Sequence, residues 1–444
     1  MGTILGTIFA FSLVFGILVF IHEFGHFFMG KLNRVKIEVF SWGYGKRLFG
    51  IKWGDTDYRV SAFPLGGFVK FSGDEALDVE KPYEHYDFMA KNRLQRFLII
   101  FMGPLMNIIL AIFLFSIINI VGVTVPEFQE QKPVIGWLEP GSPADKADLR
   151  VDDEILSING KRTKTWSDVD LAVGIKPERL ITLEIKRDGG IFSVELMTEK
   201  RTRFEMGYAG FFGKILTQVQ MVSPNSPAEK GGLKPGDIIL AINDEPVYYY
   251  RFVEILQKSA GKELDFFVQR GDEIINLQVT PRLEGKIGKI GIMQMPKSVI
   301  EKYGLFAAVG KSLGDSAKLT FLVINFIKDL VTGKASARQL GGPIEIANIS
   351  YAAFRMGFMA MMQWIALISL QLGIINLFPI PVLDGGHILV LALEGMTRRD
   401  FSLKVKQVVM QIGFLIFVFL IVFAILNDIT RRLPNGWESL LFWK

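Results

Sequence analysis

Four stretches of this 444-residue chain run without a charged side chain for long enough to cross a lipid bilayer: about 3–21, 97–121, 356–383 and 408–427. A spanning helix needs about 20 mainly apolar residues, and inside hydrocarbon each backbone N–H and C=O must be satisfied within the segment itself. The sequence therefore predicts a polytopic α-helical membrane protein with four transmembrane helices. Half the residues are hydrophobic, too many for an ordinary soluble chain of this length. The net charge of +5 comes with no polybasic tract, so no nucleic-acid footprint is expected. With no cysteine, disulfides and thiolate ligation of a metal are excluded. The N-terminal apolar run lacks a basic leader and a small-residue cleavage site, so it is expected to be retained as a span.

Four spans place both termini on one side of the membrane. The loop 31–96 carries twelve Lys and Arg, and the short loop between the last two spans holds Arg398, Arg399, Lys404 and Lys406. By the positive-inside rule these loops face the cytoplasm, which puts the termini and the long segment 122–355 outside.

The first span, within residues 1–28, ends in Ile21-His22-Glu23-Phe24-Gly25-His26. Residues four apart share a helix face, so His22 and His26 can hold one metal ion, with Glu23 beside it to take a proton from a bound water. Ionisable groups at membrane depth are costly and point to function. An interfacial helix end would explain one polar residue there, but not three in this spacing.

The segment 29–96 contains more than linker. Gly43-Tyr44-Gly45 and Gly66-Gly67-Phe68-Val69-Lys70-Phe71 flank the alternating Tyr58–Phe63, which predicts two to four short strands in a membrane-associated β element. Tyr83–Arg96 reads as an amphipathic interfacial helix, with His85 on its surface. Further on, Pro140–Leu149, Asp153 and Ile155–Asn159 recur as Pro224–Leu233, Asp237 and Ile239–Asn243, a repeat at a spacing of 84 residues. A unit of this size is a whole small domain. The pattern resembles bacterial PDZ domains, so two inserted α+β PDZ domains are expected over 127–203 and 214–284. They would either bind an extended peptide by strand addition or act as packing modules. Residues 300–350 mix apolar positions with Lys311, Asp315, Lys318, Lys328 and Asp329, which predicts amphipathic helices on the outer surface instead of a fifth span. Spans three and four are expected within 356–390 and 404–427.

A catalytic zinc needs a third protein ligand. Spans one and three cross in the same direction, and Asp384 lies near the inner end of its span, as His22 does. Asp384 is the first candidate and His387 the rival; a helix-end cap is the alternative role for Asp384. Pro379 and Pro381 rule out a regular helix beside it and leave free backbone groups there. Asn376 could donate to a developing oxyanion, or could form a helix–helix hydrogen bond.

Taken together, His22-Glu23-Phe24-Gly25-His26, Gly43-Tyr44-Gly45, Gly66–Lys70, Gly103-Pro104-Leu105-Met106-Asn107, the tandem repeat and Asn376 through Leu383-Asp384-Gly385-Gly386 resemble the site-2 proteases, specifically bacterial intramembrane zinc metalloproteases of the RseP type. The resemblance implies Zn2+ held by His22, His26 and Asp384, with Glu23 as base. It implies a multi-pass protein of the cell inner membrane, with termini and PDZ domains periplasmic and the active site near the cytoplasmic side. It also implies a single-span membrane substrate of anti-sigma-factor type, trimmed beforehand by another protease, or remnant signal peptides. Cleavage would release a cytoplasmic fragment in envelope-stress signalling. The β element would pair with unwound substrate near Gly67, Phe68 and Val69, and the PDZ tandem would exclude substrates with bulky outer domains. The competing readings are a non-enzymatic membrane PDZ scaffold, which has no need of Glu23, and a metal transporter. Transport would require a polar path, yet spans two and four offer little beyond Asn107, Asn119 and Gln411.

Overall fold

The computed structural model describes residues 2–73, 83–201, 205–285, 287–333 and 335–432. The chain divides into two compact units. One comprises residues 1–121, 302–328 and 340–444, the other 122–301 and 329–339.

Among the described residues of the first unit four helices are long and apolar enough to cross a membrane, over Ile4–Leu32, Arg93–Val121, Phe358–Asn376 and Lys404–Thr430. The described elements of this unit are α1 (Gly2–Leu32), β1 (Ile37–Trp53), β2 (Thr56–Phe71), α2 (Arg93–Val121), α3 (Leu305–Val331), α4 (Pro343–Met356), α5 (Phe358–Asn376), α6 (Asp384–Thr397) and α7 (Leu403–Thr430). Helix α2 packs against both α1 and α5 through missing side chains. A Cβ at Gly25 would lie 2.4 Å from the Met102 carbonyl oxygen, and one at Gly373 would lie 2.8 Å from that of Pro104.

Two expectations for this unit are corrected. The stretch 83–92 is not helical; turns occupy residues 85–90. The cause is local. The Asn92 side chain accepts from Gln95 N at 2.9 Å and Gln95 Oε1 accepts from Asn92 N at 3.2 Å, a reciprocal cap that starts the helix at Arg93. Residues 74–82 of the same segment lie outside the described residues. The stretch 356–390 is also not one span. α5 stops at Asn376, and Asp384 opens a separate helix, because Pro379 and Pro381 interrupt the backbone between them.

β1 and β2 form one curled hairpin. Residues 39–42 of β1 face 67–70 of β2 on one side and 57–60 on the other, while 47–53 pair with 56–61. This makes the 67–71 stretch an outer strand, with β1 as its one strand neighbour among the described residues. In the same unit, Asp428 of α7 is buried and accepts backbone N–H groups from Gly342, Ile344 and Glu345 at 2.9–3.0 Å. One helix thus caps the N-terminus of α4 from outside. Gly342 is required there, since a Cβ would meet Asp428 Oδ2 at 2.5 Å.

The second unit holds the repeat as two similar α+β modules. The first has strand order 161–162, 154–158, 180–187, 190–197, and the second has 273–279, 264–270, 238–242, 217–222, 292–296. The shared sequence pattern corresponds to shared contacts. Ser142 and Ser226 cap short helices by accepting from Asp145 N and Glu229 N, each at 3.2 Å. Asn159 and Asn243 accept from Thr182 N and Asp265 N at 2.9 Å. Asp153 and Asp237, each 1% exposed, hold Arg187 and Arg270 through paired bonds of 2.7–2.8 Å. Each module closes with strands beyond 203 and 284, at 206–213 and 287–296. Val123–Pro126 pairs with Ser298–Glu301, bringing the two ends of the inserted unit together.

Candidate metal centre

The last turns of α1 carry His22, Glu23 and His26, and the first residue of α6 is Asp384. The ligand atoms of His22, His26 and Asp384 lie within 4.8 Å of one another. His22 Nε2 is 3.2 Å from His26 Nε2 and 3.1 Å from Asp384 Oδ2; His26 Nε2 is 3.5 Å from Asp384 Oδ1. Zinc–nitrogen bonds of 2.0–2.1 Å in a tetrahedron set donors about 3.3 Å apart. The observed separations are those of three corners of such a site. Two histidines and a carboxylate without thiolate are also an ordinary donor set for zinc.

The second layer fixes which ring nitrogens face inward. His26 Nδ1 donates to the Ile99 carbonyl at 2.9 Å, leaving Nε2 as the lone-pair nitrogen. Beside His22 Nδ1, at 3.4 Å, lies the side-chain amide of Asn107, whose Oδ1 is buried without a partner among the described residues. Turning that amide over lets Oδ1 accept from Nδ1–H, which satisfies the orphaned oxygen and frees His22 Nε2 in the same way. Two Nε2 lone pairs 3.2 Å apart then face each other, an arrangement that calls for a cation between them. Gly103 completes the fit, because a Cβ there would lie 2.3 Å from His26 Nε2.

Asp384 is positioned by a tight reversal. A Cβ at Gly385 would meet the Phe378 oxygen at 2.2 Å, and one at Gly386 would meet the Ile380 oxygen at 2.4 Å, so the 377–383 turn folds over the start of α6 only because both residues are glycine. Val382 in that turn has φ of +84°, a strained conformation for a β-branched residue.

Glu23 Oε2 accepts from Val69 N at 3.1 Å, tying α1 to the outer strand of the β element. A Cβ on Gly67 would meet the Ser41 oxygen at 2.7 Å and Glu23 Cγ at 3.5 Å, so the strand and helix are in close approach here. A cavity of about 130 Å³ is lined by Glu23, His26, Val69, Phe88, Asp384 and His387 among others. Phe68 stacks on Tyr44 at 5.9 Å. Asn376 is half-buried at the end of α5, outside the lining of that cavity. Pro379 is exposed, and Pro381 packs against Gly413 of α7. His85 is outside the cavity lining as well. The supporting contacts of Ile99, Gly103 and Asn107 were not assigned from the sequence, although the Gly103-Pro104-Leu105-Met106-Asn107 motif carries two of them.

The family model for peptidase family M50 matches residues 10–420. The chain belongs to peptidase family M50. It is similar to the regulator of sigma E protease of Haemophilus influenzae, with 32% identity over 95% of this chain and 98% of that protein. It is likewise similar to the regulator of sigma-E protease RseP of Escherichia coli K12, again 32% identical over 95% and 98%. A Vibrio cholerae relative whose name places it among zinc metalloproteases is 32% identical over 97% of this chain and its own full length. This M50 chain is a zinc-dependent site-2 metalloprotease.

Proposed function

We propose that the chain cleaves a peptide bond within the membrane segment of a single-span protein, with zinc held by His22, His26 and Asp384 and with Glu23 as the proton carrier. The observation that carries this reading is the convergence of three donors at tetrahedral spacing beside a carboxylate. Zinc at such a site lowers the pKa of a bound water to about 7 and polarises a carbonyl.

The protein's own residues supply the rest. Glu23 takes a proton from the attacking water and passes it to the leaving amine; its bond from Val69 N keeps the carboxylate aimed while it does so. A peptide bond inside a helix is shielded by its own hydrogen bonds, so the substrate must first unwind. The outer strand at Gly67, Phe68 and Val69 would accept the unwound segment as an added strand and satisfy its backbone groups. Asn376 would donate to the carbonyl oxygen once substrate is seated, and the turn through Pro379 and Pro381 would offer backbone groups to the same segment. The positive-inside count supports cytoplasmic loops at 31–96 and 398–406, hence a centre near the cytoplasmic side and periplasmic termini.

The repeat modules are proposed to be two PDZ domains. They would act as a periplasmic filter against substrates with large outer domains, and a peptide ligand in their grooves is a further proposal. The relatives' names support a substrate of anti-sigma-factor type in sigma-E signalling at the inner membrane.

Zinc content tests the ligand assignment. Purified His22→Ala, His26→Ala and Asp384→Ala should each lose zinc, while His387→Ala, the rival, should retain it. Retention in Asp384→Ala with loss in His387→Ala would exchange the two roles.

A further inference from the structure

A second cavity, of about 270 Å³, shares Phe88, Ile100 and His387 with the wall of the metal-site cavity. It lies between the turn at 83–89, the start of α2, α6 and the start of α7. Most of its wall is apolar, but Arg96, Glu394 and Lys406 also line it.

Two of these charges account for each other. Glu394, fully buried, takes Lys406 Nζ at 2.7 Å and Phe401 N at 2.9 Å through Oε1, while its Oε2 is buried with no hydrogen-bond partner among the described residues. Arg96 has no counterpart of this kind. It is 6% exposed, and among the described residues its side-chain hydrogen bond runs from Nη1 to Met89 Sδ at 3.8 Å while its buried Nε has no partner. Thioether sulfur is a weak acceptor. The Asp400 carboxylate feels the Arg96 charge, but it is 63% exposed and bonded to Arg93 at 2.8 Å. A buried guanidinium is strongly disfavoured unless an anion pairs with it. Among the described residues the cavity wall therefore carries two cations, Arg96 and Lys406, against one buried carboxylate, and it is continuous with the wall of the metal site.

We propose that this cavity is a subsite for a substrate carboxylate, bound by Arg96 close to the bond being cleaved. The guanidinium presents parallel N–H donors that match a carboxylate. His387, three residues after Asp384 on α6, forms part of both walls and so links the subsite to the centre. The carboxylate has two sources of the same chemistry: an Asp or Glu side chain flanking the scissile bond, or the C-terminus that hydrolysis creates. The proposal rests on the metal-site reading above.

The test uses the full-length protein in detergent and single-span substrates carrying Glu, Gln or Leu in turn at each position flanking the cleaved bond. At one position kcat/KM should be about tenfold higher for Glu than for Gln, the value of a charge-assisted hydrogen bond shielded from water. Arg96→Gln should erase that difference, and Arg96→Lys should keep part of it. Product peptides ending in a free carboxylate or a carboxamide separate the sources, because a preference confined to inhibition assigns the subsite to the new C-terminus. Equal cleavage of acid and amide at every position, together with equal inhibition by both product forms, overturns the subsite and needs no variant to fold. A preference that persists in zinc-loaded Arg96→Gln overturns it too. Glu23→Gln cleaving at the wild-type rate would instead overturn the metal-site reading.

Discussion

Replacing Gly103 by Ala adds a single methyl group that touches no donor atom's chemistry, yet it should cost the protein its metal. The added Cβ would lie 2.3 Å from His26 Nε2, 2.4 Å from Cε1 and 2.9 Å from Cδ2. Carbon contacts settle near 3.5–4.0 Å, so the ring must retreat by about 1 Å or the helices must part. The helices have little freedom to part, because Gly25 of α1 already lies against the Met102 carbonyl of α2. A workable zinc site tolerates ligand distances within about 0.2 Å, and the loss of one supporting contact alone typically costs 10–100-fold in affinity. Moving the ring also loosens its bond to the Ile99 carbonyl, so zinc affinity should fall by about 100-fold or more. Chelator competition on protein purified in detergent measures this directly, and thermal melting in parallel reports whether the fold survives. Zinc affinity and cleavage within about twofold of wild type would refute the account of how α2 shapes the centre.

Other substitutions probe the supporting layers. Asn107→Leu should weaken zinc binding by about 10–100-fold, whereas Asn107→Asp, which keeps an acceptor for His22 Nδ1, should retain most of it; chelator competition again measures both. Asp153→Ala and Asp237→Ala each remove the buried partner of a half-buried arginine and should destabilise their own module by about 1.5–3 kcal/mol, seen as a lowered melting transition. Asp428→Ala removes the acceptor for three backbone N–H groups and should raise amide exchange at Gly342, Ile344 and Glu345 while leaving exchange in α1 unchanged.

The parts of this molecule that were legible in advance are those where one residue type answers one physical demand. Uncharged runs gave the four candidate spans because hydrocarbon tolerates nothing else. The i, i+4 histidines gave a shared face because the helix fixes their spacing. The repeated Asp153 and Asp237 marked a recurring module, although their arginine partners, 34 and 33 residues onward, could not be matched without the fold. What stayed hidden depends on contacts between distant segments. Gly103 reads as a helix-packing glycine until His26 is seen against it. Asn107 reads as a stray polar residue in a span until its amide is found beside His22. Amphipathic spacing over Tyr83–Arg96 predicts a helix there, but the Asn92–Gln95 cap starts α2 only at Arg93. The fold-back over Gly385 and Gly386, which lets Asp384 open its own helix, depends on carbonyl positions that no motif states.

In the proposed mechanism Glu23 moves protons at a zinc site inside the membrane. The most direct measurement compares wild type with Glu23→Gln for zinc content and for cleavage of a single-span substrate in detergent. One zinc in each protein and cleavage by the wild type alone are expected. Cleavage by both at the same rate, or no zinc in either, would contradict it.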